Sequence, residues 1–251
     1  MLKEFPEEKI LLGKFSEETL DHLLHQAAEI KYIGKRIDFL SGQFLGIDYK
    51  QSTMIGGMNK TEIFVLNLKE VDCFTFIDYV EAMRLSNSFS EFKENLKKVR
   101  YKSRAISFEN RNHFFTDWRD FNPDFVSDVT EKIGGEKTIK IQKIINEKEN
   151  GTYFLGGIKP VQREIHYIPS DTINLSVLDK FRTGDYIGIY SHMKGLDVSH
   201  AGIIIKDRDN IYLRHASSRE EYRKVIDQDF NAYISEKPGI IVLRPKLTST
   251  F

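Results

Sequence analysis

The chain has 251 residues, and its 37 Lys+Arg balance 37 Asp+Glu, so its formal charge is zero. With 40% apolar and 12% aromatic residues it can bury a sizeable core, which excludes a disordered chain, and neutrality gives no reason to expect a polyanion-coating protein. No apolar run approaches the roughly 18 residues that cross a bilayer, and a single cysteine excludes an internal disulfide framework or a multi-thiolate zinc site.

The first stretch, MLKEFPEEKILLGKF, is too charged for the apolar segment of a secretory signal, so the protein is expected inside the cell unless a leader has been removed. Residues 16–40 read as a helix: Ser16 or Glu17 can start it, and Leu20, Leu23, Leu24, Ala27, Ile30 and Ile33 recur at spacings of three and four. Residues 41–58 read as loop, and 61–68 (TEIFVLNL) as a strand. A helix then starts near Cys73, with Phe76, Ile77, Val80, Met83 and Arg84 in helical register. The next helix carries Phe89, Phe92, Leu96 and Val99 on one side and Lys93, Lys97, Lys98 and Arg100 on the other, which reads as a solvated basic face.

Residues 125–133 are expected to form a helix ended by Gly134 and Gly135, and 138–145 and 163–168 to be strands. A short helix over 175–181 and a turn at Thr183, Gly184 and Asp185 precede three strands, 186–190, 198–206 and 211–216. The polar turn Asp207-Arg208-Asp209-Asn210 joins the last two as a hairpin, and 239–244 is a final strand. Helices early and antiparallel strands late, without repeats or a linker, predict one α+β domain over 1–251, helical to about residue 135 and mainly β beyond it.

Cys73 follows a strand and opens a helix, with Asp72 placed as its N-cap. There the helix dipole favours thiolate and is expected to lower the thiol pKa below roughly 8.5, while first-turn N–H groups face a developing oxyanion. A lone cysteine that merely packs as a small hydrophobe has the same sequence signature. The histidines add to the pattern. If the hairpin turn sets Lys206 opposite Ile211, Gly202 lies opposite His215, and His200 and His215 share one face as diagonal neighbours about 7 Å apart. A one-residue slip would separate them, and spacing alone equally fits a pair of core histidines.

Asp72-Cys73, His200-Ala201-Gly202 and His215-Ala216, in this order, resemble the papain-like cell-wall hydrolases of the NlpC type. Further segments resemble the N-acetylmuramoyl-L-alanine amidase-like branch: Phe44-Leu45-Gly46 with Tyr49, Asn67-Leu68 ahead of Asp72-Cys73, Thr75-Phe76, Arg111, His113-Phe114, Asp117-Trp118, Gly184-Asp185, the run from Gly195 to His200, and His215 to Ser218. One departure is Asp48-Tyr49 where Pro-Tyr is the family pattern. The resemblance implies a bacterial, papain-like α+β enzyme, periplasmic or exported if a leader has been removed, that cuts peptidoglycan fragments without a metal or other cofactor. The implied bond joins the lactyl group of (anhydro-)muramic acid to L-alanine. Nucleic acid and membrane insertion are not expected.

In that reading Cys73 is nucleophile, His200 base and His215 the group that orients it, with Asp197 a weaker choice because its odd separation from His200 points it to the other face. Tyr49 is expected to line the cleft. Arg111, His113, Asp117 and Trp118 are candidate substrate contacts, an arginine for a stem-peptide carboxylate and a flat ring for a sugar. An ion pair with a core tryptophan fits them equally. Asp185 reads as a turn-former. The nearest rival is a γ-D-glutamyl endopeptidase, in which Asp48 or Asp72 would hold the free amine of L-alanine. A non-catalytic peptidoglycan-binding module would leave Cys73, His200 and His215 without purpose. A metal hydrolase using His192, Asp197, His200 and His215 lacks the helical His-x-x-x-His spacing.

Overall fold

The structure, a computed structural model, describes residues 8–208 and 210–247. The first half contains β1 (Glu8–Leu11), α1 (Glu17–Ala28), α2 (Ile33–Gly42), β2 (Asp48–Tyr49), β3 (Ile55–Gly57), β4 (Lys60–Asn67), β5 (Glu70–Val71), α3 (Cys73–Arg84), α4 (Phe89–Arg100) and α5 (Phe115–Phe121). The second contains β6 (Val126–Asp128), α6 (Thr130–Gly134), β7 (Ile139–Ile145), β8 (Val161–Pro169), α7 (Leu175–Leu178), β9 (Tyr186–Tyr190), β10 (Val198–Asp207), β11 (Asn210–Ala216), β12 (Val225–Asp229), α8 (Phe230–Ile234) and β13 (Gly239–Pro245). This is the expected α+β class. An eight-stranded sheet runs β12-β11-β10-β9-β13-β8-β7, with β6 also paired to β13, and every pair in it is antiparallel.

Strand alternation puts apolar side chains on both faces of the sheet. Ala201, Ile203 and Ile205 of β10 join Phe76, Ile77 and Val80 of α3 in one core. Ile204 of β10 and Leu213 of β11 instead join Ile133 of α6, Val177 of α7 and Phe230, Tyr233 and Ile234 of α8. The sheet is therefore covered on both sides, with α3 on one and α8 on the other.

The hairpin has the expected register, Lys206 opposite Ile211, with Asp207 opposite Asn210; Asp209 of its turn lies outside the described residues. A Cβ at Gly202 would come within 2.9 Å of the Arg214 carbonyl and 3.0 Å of the His215 Cβ, so glycine admits the neighbouring strand there.

Four expectations need correction. The single helix over 16–40 is two, α1 and α2, because the Arg36 guanidinium bonds the carbonyls of Ala27 and Ala28 at the end of α1 and that of Arg84 at the end of α3. Hydrophobic spacing continues across that break and cannot reveal it. The 41–58 loop holds β2 and β3, short strands that take their partners from residues 60–71. Residues 125–133 divide into β6, captured by the distant β13, and α6. Arg100 does not belong to a solvated face: it is 1% exposed, donates to Asp78 Oδ2 at 3.0 Å and the Val65 carbonyl at 2.5 Å, and lies over the Tyr79 ring.

Asp78 also accepts from the indole of Trp118, at 3.1 Å. Replacing Asp78 with Ala leaves the Arg100 charge buried and without its carboxylate, so the Asp78→Ala variant is expected to lose about 3–5 kcal/mol of stability, read from urea midpoints.

Candidate active site

The site starts from a helix cap. Asp72 accepts from the N–H groups of Phe74 at 3.2 Å and Thr75 at 2.8 Å, and Thr75 Oγ1 accepts from the Asp72 N–H at 3.0 Å. This reciprocal capping box satisfies first-turn donors and fixes Cys73 as the first residue of α3. Just before it, β5 pairs in parallel with β2, Tyr49 opposite Val71. That pairing carries Tyr49 to the cysteine, and the Arg223 guanidinium stacks 4.9 Å from the Tyr49 ring.

The sulfur sits against β10 near the end of its register with β11. Ile204 gives its N–H to Asp185 and its carbonyl to Gly184, so the backbone groups of even-numbered residues in this part of β10 face β9, and those of Ile203 and Ala201 face β11. The β10–β11 ladder stops at Ile203 and Arg214. Beyond that point the Ala201 N–H faces the Cys73 sulfur and favours its thiolate.

His200 is the residue before Ala201, and the two imidazoles meet there: His200 Nε2 lies 2.7 Å from His215 Nδ1, with the rings perpendicular. His215 Nε2 lies 3.2 Å from Gln228 Oε1 of β12. The Tyr233 ring from α8 covers both, 5.1 Å from His215 and 6.3 Å from His200. Arg219 and Lys237 in turn lie over that ring, at 6.0 and 5.2 Å.

Burial reverses the electrostatics expected from the helix dipole. It pushes the Cys73 thiol up to about 12, the Asp72 carboxylate adds to the rise, and the N–H groups of Ala201, Cys73 and Phe74 only partly oppose it. Burial likewise lowers His200 to about 3, reinforced by His215 and Lys237, and His215 to about 4. All three groups rest uncharged near neutrality. Desolvation dominates the dipole because removing a charge from water costs more than one helix terminus returns. Tyr49 is raised too, by burial and by the neighbouring Cys73 and Asp72.

The structure brings together Cys73, His200, His215, Asp72 and Tyr49, and separates the other expected contacts from them. Trp118 is fully buried with its indole on Asp78, leaving no face for a sugar. Arg111 pairs with Glu62 at 2.8 Å, and His113 bonds the Phe108 carbonyl at 2.7 Å. Asp117 caps α5 through the N–H groups of His113 and Phe114 and pairs with Arg163. These four side chains are engaged in local structure. Asp197 is buried and accepts from Thr116 and Val198, so it neither orients His200 nor joins it around a metal. Asp185 does shape its turn, accepting from Arg182 N–H, and also holds Arg244. Tyr233, Gln228, Arg219, Arg223 and Lys237 escape the sequence reading. Only Gln228 leaves a trace there, as the next same-face position if strand alternation is extended across one more hairpin.

A model of the AmiA-like family, described as N-acetylmuramoyl-L-alanine amidase-like, matches residues 39–240, and the chain belongs to that family. A crystal structure from Legionella pneumophila, 24% identical, shares the fold with a TM-score of 0.77 over 92% of this chain and 94% of that one. An N-acetylmuramoyl-L-alanine amidase from Bacteroides uniformis is 27% identical, with a TM-score of 0.70 over 86% of this chain and 99% of its own. A Bacteroides fragilis structure described provisionally as a xylanase is 25% identical, with a TM-score of 0.65 over 81% of this chain and 98% of its own. No curated protein matches the chain.

Two outcomes follow from the uncharged triad. Alkylation of Cys73 by iodoacetamide in the native protein is expected to be slow at pH 7.5 and to keep accelerating above pH 10; a plateau near pH 8.5 would contradict the raised thiol. Below about pH 6.5 an unfolded chain binds protons that the folded imidazoles refuse. Stability is therefore expected to fall as pH drops from about 6.5 towards 4, and His200→Gln to flatten that slope in urea titrations followed by circular dichroism.

Proposed function

We propose that this member of the N-acetylmuramoyl-L-alanine amidase-like family is a cysteine-dependent hydrolase of peptidoglycan fragments. It acts through a papain-like site and cleaves the amide between the lactyl group of (anhydro-)N-acetylmuramic acid and L-alanine. The observation that carries the reading is the placement of the Cys73 sulfur: at a helix start and facing the N–H of Ala201, the residue after an imidazole that is itself held by a second imidazole. A packing cysteine requires none of these. Kinship with an N-acetylmuramoyl-L-alanine amidase supports the bond assignment.

Because thiol and imidazole both rest neutral, no standing thiolate–imidazolium pair exists, and the proton moves as the sulfur attacks. His200 takes the proton from Cys73, and the sulfur adds to the lactyl carbonyl. The oxyanion is received by the N–H of Cys73, the first-turn donor of α3 that Asp72 does not take. The tetrahedral adduct collapses when His200 returns the proton to the alanine nitrogen, leaving a thioester that water, deprotonated by His200, hydrolyses. Such positioned proton transfer is worth about 100- to 10,000-fold.

The charges around the site support this bond over the endopeptidase alternative. Arg219, Arg223 and Lys237 stand around Tyr49 and Tyr233, so the surroundings suit the carboxylates of a stem peptide. An endopeptidase must instead hold the free ammonium of L-alanine, and Asp72 has one oxygen in the helix cap. A xylanase needs two carboxylates flanking a glycosidic bond, whereas Asp72, the carboxylate acting on Cys73, is engaged in the helix cap.

Incubation with anhydro-muropeptides, with products identified by mass spectrometry, tests the proposal. Release of an intact peptide beginning with L-alanine is expected, and Cys73→Ser is expected to lower the rate at least about 1,000-fold. Release of an L-alanyl-D-glutamate fragment would transfer the assignment to the endopeptidase, and turnover unaffected in Cys73→Ser would overturn cysteine catalysis. Arg223→Gln is expected to raise KM several-fold with a smaller change in kcat, because it touches substrate recognition and not proton transfer.

A further inference from the structure

The geometry points to Gln228 as a positioning residue that sets the tautomers of both histidines and thereby selects the ring nitrogen of His200 that acts as base. The inference rests on the amidase reading for its catalytic consequence and on geometry alone for the tautomers.

The chain of donors and acceptors is determined from its outer end. Gln228 Oε1 is a carbonyl oxygen and only accepts, so at 3.2 Å the Nε2 of His215 carries a hydrogen and donates. His215 rests neutral, so its Nδ1 is bare and accepts. The atom 2.7 Å away, His200 Nε2, must then be the donor and carry hydrogen. His200 is also neutral, and its one ring hydrogen is now assigned, which leaves Nδ1 bare. A bare ring nitrogen is what proton abstraction from Cys73 requires; the other tautomer would present an N–H and have nothing to accept with. A neutral histidine in the third position carries no charge with which to orient its neighbour, so its own orientation has to be imposed, and Gln228 imposes it. An analogous dependence of imidazole tautomer on the partner of the opposite nitrogen is general for histidine sites.

The fold supports a dedicated role. Gln228 lies on β12, where Leu213 is its cross-strand partner and His215 is paired with Ile226, so it reaches His215 diagonally from the sheet's edge strand. The charged and titratable groups facing the two rings are Lys237 and Tyr233 from the α8 side and Arg219 and Asp227 around His215, with Cys73 of α3 beside Tyr233; none of them supplies the acceptor that His215 Nε2 uses.

Nitrogen-15 shifts of ring-labelled histidines at pH 7 test this directly, since protonated and bare ring nitrogens resonate apart. His200→Gln and His215→Gln provide the assignments. In the unaltered protein both His200 and His215 are expected as the Nε2–H tautomer; an Nδ1–H signal from either overturns the inference without reference to any variant. In Gln228→Leu the His215 signal is expected to shift towards a tautomer mixture, and kcat to fall about 10-fold with KM within about twofold. Gln228→Glu keeps the acceptor but adds a charge that favours imidazolium, so the tautomers persist and the acid limb of kcat/KM moves to higher pH. A Gln228→Leu protein with unchanged histidine shifts overturns the inference, whatever its activity. Shifts that change as expected in a protein that cleaves no muropeptide would sink the amidase reading and leave the tautomer assignment standing.

Discussion

The contact between the Ala201 N–H and the Cys73 sulfur is the interaction on which the site depends. The β10–β11 register ends at Ile203 and Arg214, so Ala201 lies two positions beyond the last paired residue of β10. The contact joins the start of α3 to β10 and sets the Cys73 sulfur against the residue that follows His200. The capping box at Asp72 and the β2–β5 pairing hold the helix start in that place from the other side.

The same enclosure decides the charge state. A helix terminus favours a thiolate by at most about 2 kcal/mol in partly buried geometry, while each unit of pKa corresponds to about 1.4 kcal/mol. Burial at Cys73 outweighs the dipole, and the two histidines are depressed for the same reason. A site built this way holds Cys73 as a neutral thiol near pH 7. It also makes hydrogen-bond direction, rather than net charge, the property that organises the imidazoles, which is why an uncharged amide at the end of the chain matters.

Much of this was legible from residue order. Period-two alternation with an even turn correctly placed His200 and His215 on one face, and Asp72-Cys73 correctly announced a capped helix start. The thiol's raised pKa was not legible, because burial is set by elements as distant as β2, β10 and α8. Arg100 looked solvated since helical periodicity reports which side a residue occupies and not how deep its neighbours reach. Trp118 and Arg111 looked like ligands for the same reason: their partners, Asp78 and Glu62, lie 40 and 49 positions away. Tyr233, Arg219, Arg223 and Lys237 sit after β11 in segments with no motif of their own, and only folding gathers them around the histidines.

The sulfur's role is tested most directly by stopping the reaction with acid within one turnover and weighing the peptide that contains Cys73. With an anhydro-muropeptide as substrate, that peptide is predicted to gain the mass of the muramyl acyl group, attached as a thioester that hydroxylamine removes. Steady release of product while the Cys73 peptide keeps its unmodified mass at every quench time, together with full activity after Cys73→Ala, would contradict the account.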